Sequence, residues 1–208
     1  MKMNTRVVLI ASICFIGCQT SRSLKTPKPI KTYAYSEFYL PLDDFLKVEN
    51  NQNRDTSIVS FYSQLLTSFK EPNLSKYVGE SSVFRLTLDR TFANYISIRI
   101  VNSEKGIKIT YKKTAGIGGY YLDDLKETND MNLAETDWNN LMDLTNQFNF
   151  WGLQTDIASL PQTDGESWLL EANIKGKYHF IYRSNPGKND EIQKIGKMII
   201  TLSEMTLN

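Results

Sequence analysis

Three stretches in the middle of the chain alternate apolar and polar residues with a period of two, and this pattern limits the fold more than any other feature. Phe84, Leu86 and Leu88 alternate with Arg85, Thr87 and Asp89. Ile96, Ile98 and Ile100 alternate with Ser97 and Arg99, and Ile107, Ile109 and Tyr111 alternate with Lys108, Thr110 and Lys112. A strand turns successive side chains to opposite faces, so each stretch reads as a strand with one apolar and one polar face. The links, Ala93-Asn94 and Ser103 to Gly106, suit a meander. An antiparallel sheet with one buried face follows.

A further pair of strands is expected in Thr163 to Pro186, TDGESWLLEANIKGKYHFIYRSNP, which holds the only histidine, His179. Asp164-Gly165 and Asn185-Pro186-Gly187 are turn signals at its two ends. Trp168, Leu170, Ala172 and Ile174 share one face of the first strand, and Tyr178, Phe180 and Tyr182 share one face of the second. A loop around Lys175-Gly176-Lys177 brings these two sets to the same side, with Gly176 supplying a positive φ. A two-residue loop would mix apolar with polar residues on both faces and is rejected on that ground. The polar face then carries Glu171, Asn173, His179 and Arg183, with Leu169 and Ile181.

Helical periodicity appears three times. Asp55 to Phe69 repeats Ile58, Phe61, Tyr62, Leu65, Leu66 and Phe69 on one face, capped by Asp55 or Thr56 and stopped before Pro72. Leu133 to Phe148 carries the stripe Trp138, Leu141, Met142, Thr145 and Phe148, with Ala134 at its cap and Leu133 against Trp138 as a staple. Asp190 to Leu202 carries Ile192, Ile195, Met198, Ile199 and Leu202. Tyr33 to Val48, rich in aromatics around Pro41, is assigned no element. The order is helix, three strands, helix, two strands, helix. It predicts one α+β domain over 33–208, an antiparallel sheet of about five strands with helices packed on one face.

The amino terminus is of another kind. Lys2 and Arg6 precede an apolar run from Val7 to Gly17 that is too short to span a bilayer. The run ends in Phe15-Ile16-Gly17-Cys18, which resembles a bacterial lipoprotein signal over residues 1–17. In that signal a small residue precedes a cysteine that is lipidated and becomes the new first residue. An ordinary secretory leader or an uncleaved anchor are the alternatives. Residues 18–32, polar, basic and Pro-containing, read as a flexible tether from a lipid on Cys18. Cys14 leaves with the leader, so the mature domain has no thiol for a disulfide, a metal site or a nucleophile. Loss of Lys2 and Arg6 leaves 22 basic against 23 acidic residues. That balance argues against a nucleic-acid partner. The expected location is the bacterial cell envelope, lipid-anchored in the outer membrane and facing the periplasm, because no acidic run follows Cys18.

Several blocks together resemble a family of uncharacterised bacterial proteins, many of them lipoproteins. They are Glu71-Pro72 with Leu74, Phe84-Arg85, Arg90-Thr91-Phe92, Arg99, Gly116 to Tyr120, Trp138 and Phe150-Trp151. The most specific block is Asp164-Gly165, Trp168, Glu171, Tyr178-His179, Arg183 and Pro186. The chain departs at Asn94-Tyr95, where a Pro is expected nearby, and at Asn185, where a Ser is usual. The resemblance implies a shared fold and no mechanism.

Candidate functional residues lie on the polar faces of the strands. Arg85, Arg99, Glu171, His179 and Arg183, with Lys108 and Lys112, would give a mostly basic face able to receive an anionic ligand, a glycan or an envelope protein. A merely solvated face is the plain alternative. In an enzyme, Glu171 would orient His179 as a general base while Arg183 held an oxyanion. An ordinary Glu171–Arg183 ion pair beside a bystander histidine would look the same in sequence, and no nucleophile is evident. An inhibitor or immunity-type protein is a third reading. One histidine and no cysteine offer no metal site, and Asp43-Asp44 and Asp123-Asp124 read as solvated loops. Thr114 to Tyr121 (TAGIGGYY) lacks the lysine and spacing of a phosphate loop. No cofactor is implied.

Overall fold

The computed structural model describes residues 38–41, 57–119, 121–155 and 164–204. The leader, Cys18, the tether, the Asp55 and Thr56 caps and Asp43-Asp44 lie outside the described residues. Six strands form one antiparallel sheet: β1 (Ser82–Arg90), β2 (Asn94–Ser103), β3 (Gly106–Ile117), β4 (Leu125–Leu133), β5 (Glu166–Ile174) and β6 (Lys177–Ser184). Their order is β4-β3-β2-β1-β5-β6. The helices are α1 (Ser57–Ser68), α2 (Glu135–Gln147) and α3 (Glu191–Leu202). The expected single α+β domain with an antiparallel sheet is therefore the observed one.

The strand not foreseen is β4, LKETNDMNL. It pairs with β3 alone, and most of its side chains are exposed. Only Leu125, Met131 and Leu133 near its ends pack on the cores, and the exposed run between them has no reason to alternate, so periodicity does not find it. Its register with β3 shifts between Lys113 and Thr114, and its charges and this irregularity guard the edge against further pairing.

The helices do not all sit on one face. Phe84, Leu86, Leu88, Ile96, Ile98, Ile100, Trp168 and Leu170 pack with Trp138 and Leu141 of α2 and with Ile192, Ile195 and Ile199 of α3. Gly196 lets α3 lie close to the sheet, because a Cβ there would stand 2.4 Å from the Trp168 ring. The opposite face is covered by α1, whose Val59, Tyr62 and Leu65 pack with Phe38, Leu40, Phe69, Tyr95, Leu169 and Phe180. Asp190 caps α3, its side chain accepting from the Ile192 N–H at 3.0 Å. At the start of α2 the Ala134 N–H donates to Asp137 at 3.2 Å, which compensates for a cap residue with no acceptor of its own.

The hairpin corrects the sequence reading. Ile174 pairs with Lys177, so the loop is the two residues Lys175-Gly176. Their φ values are 52° and 87°, both positive as a type I′ turn requires. Ala172 pairs with His179, and Glu171 pairs with Phe180. Trp168, Leu170 and Ala172 thus share a face with His179, Ile181 and Arg183, while Leu169, Glu171 and Asn173 share the other with Tyr178, Phe180 and Tyr182. The objection to this register assumed that one face lies in water. With α1 over the second face both are buried, and apolar residues on both sides are what the packing needs.

Candidate functional site

The polar side of the sheet is organised in rows across the strands. In one row Glu171, Arg85, Arg99, Thr110 and Asp130 stand side by side on β5, β1, β2, β3 and β4. Arg85 donates from Nε and Nη2 to the two oxygens of Glu171, each at 2.7 Å, and from Nη1 to the Pro72 carbonyl at 2.7 Å. Tyr178 donates to Glu171 at 3.0 Å. Arg85 and Glu171 are completely buried. Arg85 and Arg99 are directly opposed like charges, and Glu71 resolves the conflict. Its Oε2 lies 2.7 Å from Arg99 Nε and 3.5 Å from Arg85 Nη1, and its Oε1 lies 2.7 Å from Lys112 Nζ.

Glu71 comes from the loop that leaves α1, so this network fastens that loop to the sheet. Lys112 also donates to the carbonyls of Phe69 at 2.9 Å and Lys70 at 3.3 Å, groups that α1 leaves without an internal partner. Asn173 donates to the carbonyls of Leu74 and Tyr77, each at 2.9 Å, and so pins the next turn of the same segment. Burial works to raise the Glu71 carboxyl, but Arg85, Arg99 and Lys112 outweigh it and hold it below the usual range. Glu171 and Glu71 together keep Arg85 protonated despite its burial.

The structure therefore brings Glu171, Arg85 and Arg99 together and leaves His179 and Arg183 out. The His179 ring nitrogen Nε2 donates to the Leu153 carbonyl at 3.1 Å, and the ring packs edge-on against Phe150 at 5.2 Å. Arg183 donates to the Tyr182 carbonyl at 2.7 Å and lies 3.8 Å from Asp190. The proposed Glu171–His179–Arg183 arrangement fails because the two-residue loop puts Glu171 on the face opposite the other two. The open basic surface also fails, since α1 and residues 69–77 cover it and Glu71 and Glu171 neutralise it.

The residues that sequence reasoning missed are Glu71 as a charge partner, Tyr178 as a hydrogen-bond donor to Glu171, and Asp89. Glu71 lies outside any periodic pattern, so only its nearness to the Arg85 row in space reveals it. Asp89 lies on the same face as Arg85, two rows away, opposite Ser167. Burial pushes its carboxyl up to about 6. In the intervening row Thr87 and Ser97 are paired across β1 and β2. Thr87 Oγ1 and Ser97 Oγ in that row, and Tyr62 Oη and Thr114 Oγ1 elsewhere, are buried without a hydrogen-bond partner among the described residues.

At the other end of the strands an open groove of about 1080 Å³ runs between the start of β1, the β2–β3 turn and Lys175. Ser81, Ser82, Asn102 and Ser103 offer hydroxyl and amide groups, and Glu80, Glu104, Lys105 and Lys175 balance one another in charge. Val78 forms part of the wall and is 94% exposed. Among the described residues no group of three or more His, Cys, Asp or Glu is placed to hold a metal ion. No helix among them is long and apolar enough to cross a membrane. No family model and no curated protein matches this chain.

Proposed function

We propose that this chain is a lipid-anchored protein of the bacterial cell envelope whose domain is a binding module, and that its ligand is a glycan held in the groove beside the β2–β3 turn. The leader ending at Gly17-Cys18 and the polar tether after it support the anchoring. The separation of Glu171 from His179 onto opposite faces carries the choice of binding over hydrolysis. With Glu171 held by Arg85 and Tyr178, the histidine loses the partner that would tune it as a base.

The sheet face is closed by the protein's own carboxylates, which moves the ligand surface to the open groove. Its hydroxyl and amide groups both donate and accept, and its charges cancel. Such a lining suits a neutral polyhydroxylated ligand better than an anion.

Thermal unfolding of the mature chain with Cys18→Ser tests this reading. Soluble peptidoglycan fragments and envelope oligosaccharides are expected to raise the midpoint, while phosphate and citrate leave it unchanged. Asn102→Ala and Lys105→Ala are expected to abolish the response. A response to the anions that survives both substitutions would overturn the glycan assignment.

A further inference from the structure

The groove beside the β2–β3 turn is built where β1 begins. Ser82, the first residue of β1, pairs with Asn102 on one side and Ile174 on the other. Both neighbours run on past it, β2 into the turn Glu104-Lys105 and β5 into the turn Lys175-Gly176. Two hairpin tips therefore flank the segment 78–81 that leads into β1, and residues of both tips line the groove.

Its apolar lining is small and aliphatic. Val101 stands in a row with Asn173 and Val83 across β5, β1 and β2. Asn173 donates to the Tyr77 carbonyl at 2.9 Å, which brings the next residue, Val78, to the same row. Val78 and Val101 are the two apolar side chains of the lining, and no aromatic ring is among the lining residues. A pyranose ring offers a flat face of C–H groups that an aromatic ring matches. Two branched side chains match a methyl group instead, and Val78, 94% exposed, has its apolar surface still to bury.

The polar groups beside them are of the kind that an amide satisfies. The backbone of Val78, Gly79 and Glu80 makes no hydrogen bond within the described residues, so its N–H and C=O groups are available. Ser103 lies two residues along β2 from Val101 and so on the same face. Its hydroxyl donates to the Gly106 carbonyl at 3.2 Å and accepts from the Lys105 N–H at 3.3 Å, which leaves one lone pair for a further donor.

An acetamido group joins a methyl to one N–H and one C=O that point in opposite directions. Resting on the glycan reading of this groove, we propose that its ligand is a chain of N-acetylated amino sugars. The methyl packs on Val78 and Val101, the N–H donates to Ser103 Oγ, and the C=O accepts a backbone N–H of residues 78–80. A sugar with a hydroxyl in that place leaves the valines in water, and one with a free amine brings an ammonium charge to them.

The test is thermal unfolding of the mature Cys18→Ser chain with three tetrasaccharides of one backbone that differ only in the group on the second carbon. The group is acetamido in tetra-N-acetylchitotetraose, hydroxyl in cellotetraose and amino in chitotetraose. The acetylated sugar is expected to raise the midpoint by about 4 °C at roughly ten times its Kd. The other two should need at least about tenfold more for the same shift. Val78→Ser, at a side chain too exposed to matter to the fold, is expected to weaken the acetylated sugar several-fold and leave cellotetraose unchanged, while Val78→Ile keeps the preference. Equal shifts by the acetylated sugar and cellotetraose would overturn this inference and leave the glycan reading standing, as would a preference that Val78→Ser does not reduce. No shift with any of the three sugars would overturn both, and a shift with N-acetylalaninamide in their stead would place a peptide in the groove.

Discussion

Arg85 and Glu171 face each other across β1 and β5, joined by two hydrogen bonds of 2.7 Å with both side chains fully buried. Buried pairs of this kind contribute little relative to apolar residues of the same shape, yet breaking one is costly because a charge is left behind. Arg85→Met and Glu171→Gln are each expected to lower stability by about 3–5 kcal/mol in urea denaturation. The double variant Arg85→Met with Glu171→Leu should recover a large part of that loss. Additive losses in the double variant would show that the pair is not coupled.

Glu71 ties the exit of α1 to three cations at once, so Glu71→Gln strands positive charge under the helix. A loss of about 3 kcal/mol is expected. The carboxyl is held below its ordinary value of 4.5, so its contribution is complete above that pH and is lost as the pH falls through the lower, folded value. The measurement is the urea midpoint of both chains from pH 7 to pH 3. The gap between them should narrow only at the acid end.

Asp89 titrates in the opposite sense. Folded, it keeps its proton to about pH 6, whereas the unfolded chain releases it near 3.8. Between those values the folded state binds more protons, so this residue makes stability fall as pH rises from about 4 to about 6, and the cost remains above that. Asp89→Asn is therefore expected to gain about 1–2 kcal/mol at pH 8, after allowance for partial solvent screening. The gain should vanish near pH 4. A destabilised Asp89→Asn chain at pH 8 would mean that the carboxylate has a favourable partner.

The β5–β6 loop sets which residues share a face, and its chemistry can be improved. Lys175 holds a φ of 52° that asparagine adopts more readily. Lys175→Asn is expected to stabilise the domain by about 0.5 kcal/mol, and Gly176→Ala, at a φ of 87°, to destabilise it by about 1 kcal/mol. Equilibrium urea unfolding resolves both. If Gly176→Ala is neutral, the two-residue turn is not the one present in solution.

The alternation in Phe84–Asp89, Ile96–Ile100 and Ile107–Lys112 and the three helical stripes determined the elements of this protein without reference to anything distant. A strand or an amphipathic helix with one apolar face writes its period into the chain, and the pairing of β1 with β2 and β2 with β3 follows from short links. The expectation of a leader ending at Gly17-Cys18 rests likewise on local signals. β4 escaped because its exposed run has no period to read.

What only the tertiary structure decided is which faces meet. The sequence shows Arg85, Arg99, Lys112 and Glu171 as polar positions, and polar positions ordinarily face water. Here α1 and the segment after it close over them, and Glu71, placed there by the exit of that helix, supplies the carboxylate that makes their burial tolerable. A charge can be buried only beside its partner, and the partners are far apart in the chain, with Arg85 and Glu171 separated by 86 positions. The same covering of the second face permits the two-residue hairpin turn, which sends His179 and Arg183 to one side of the sheet and Glu171 to the other.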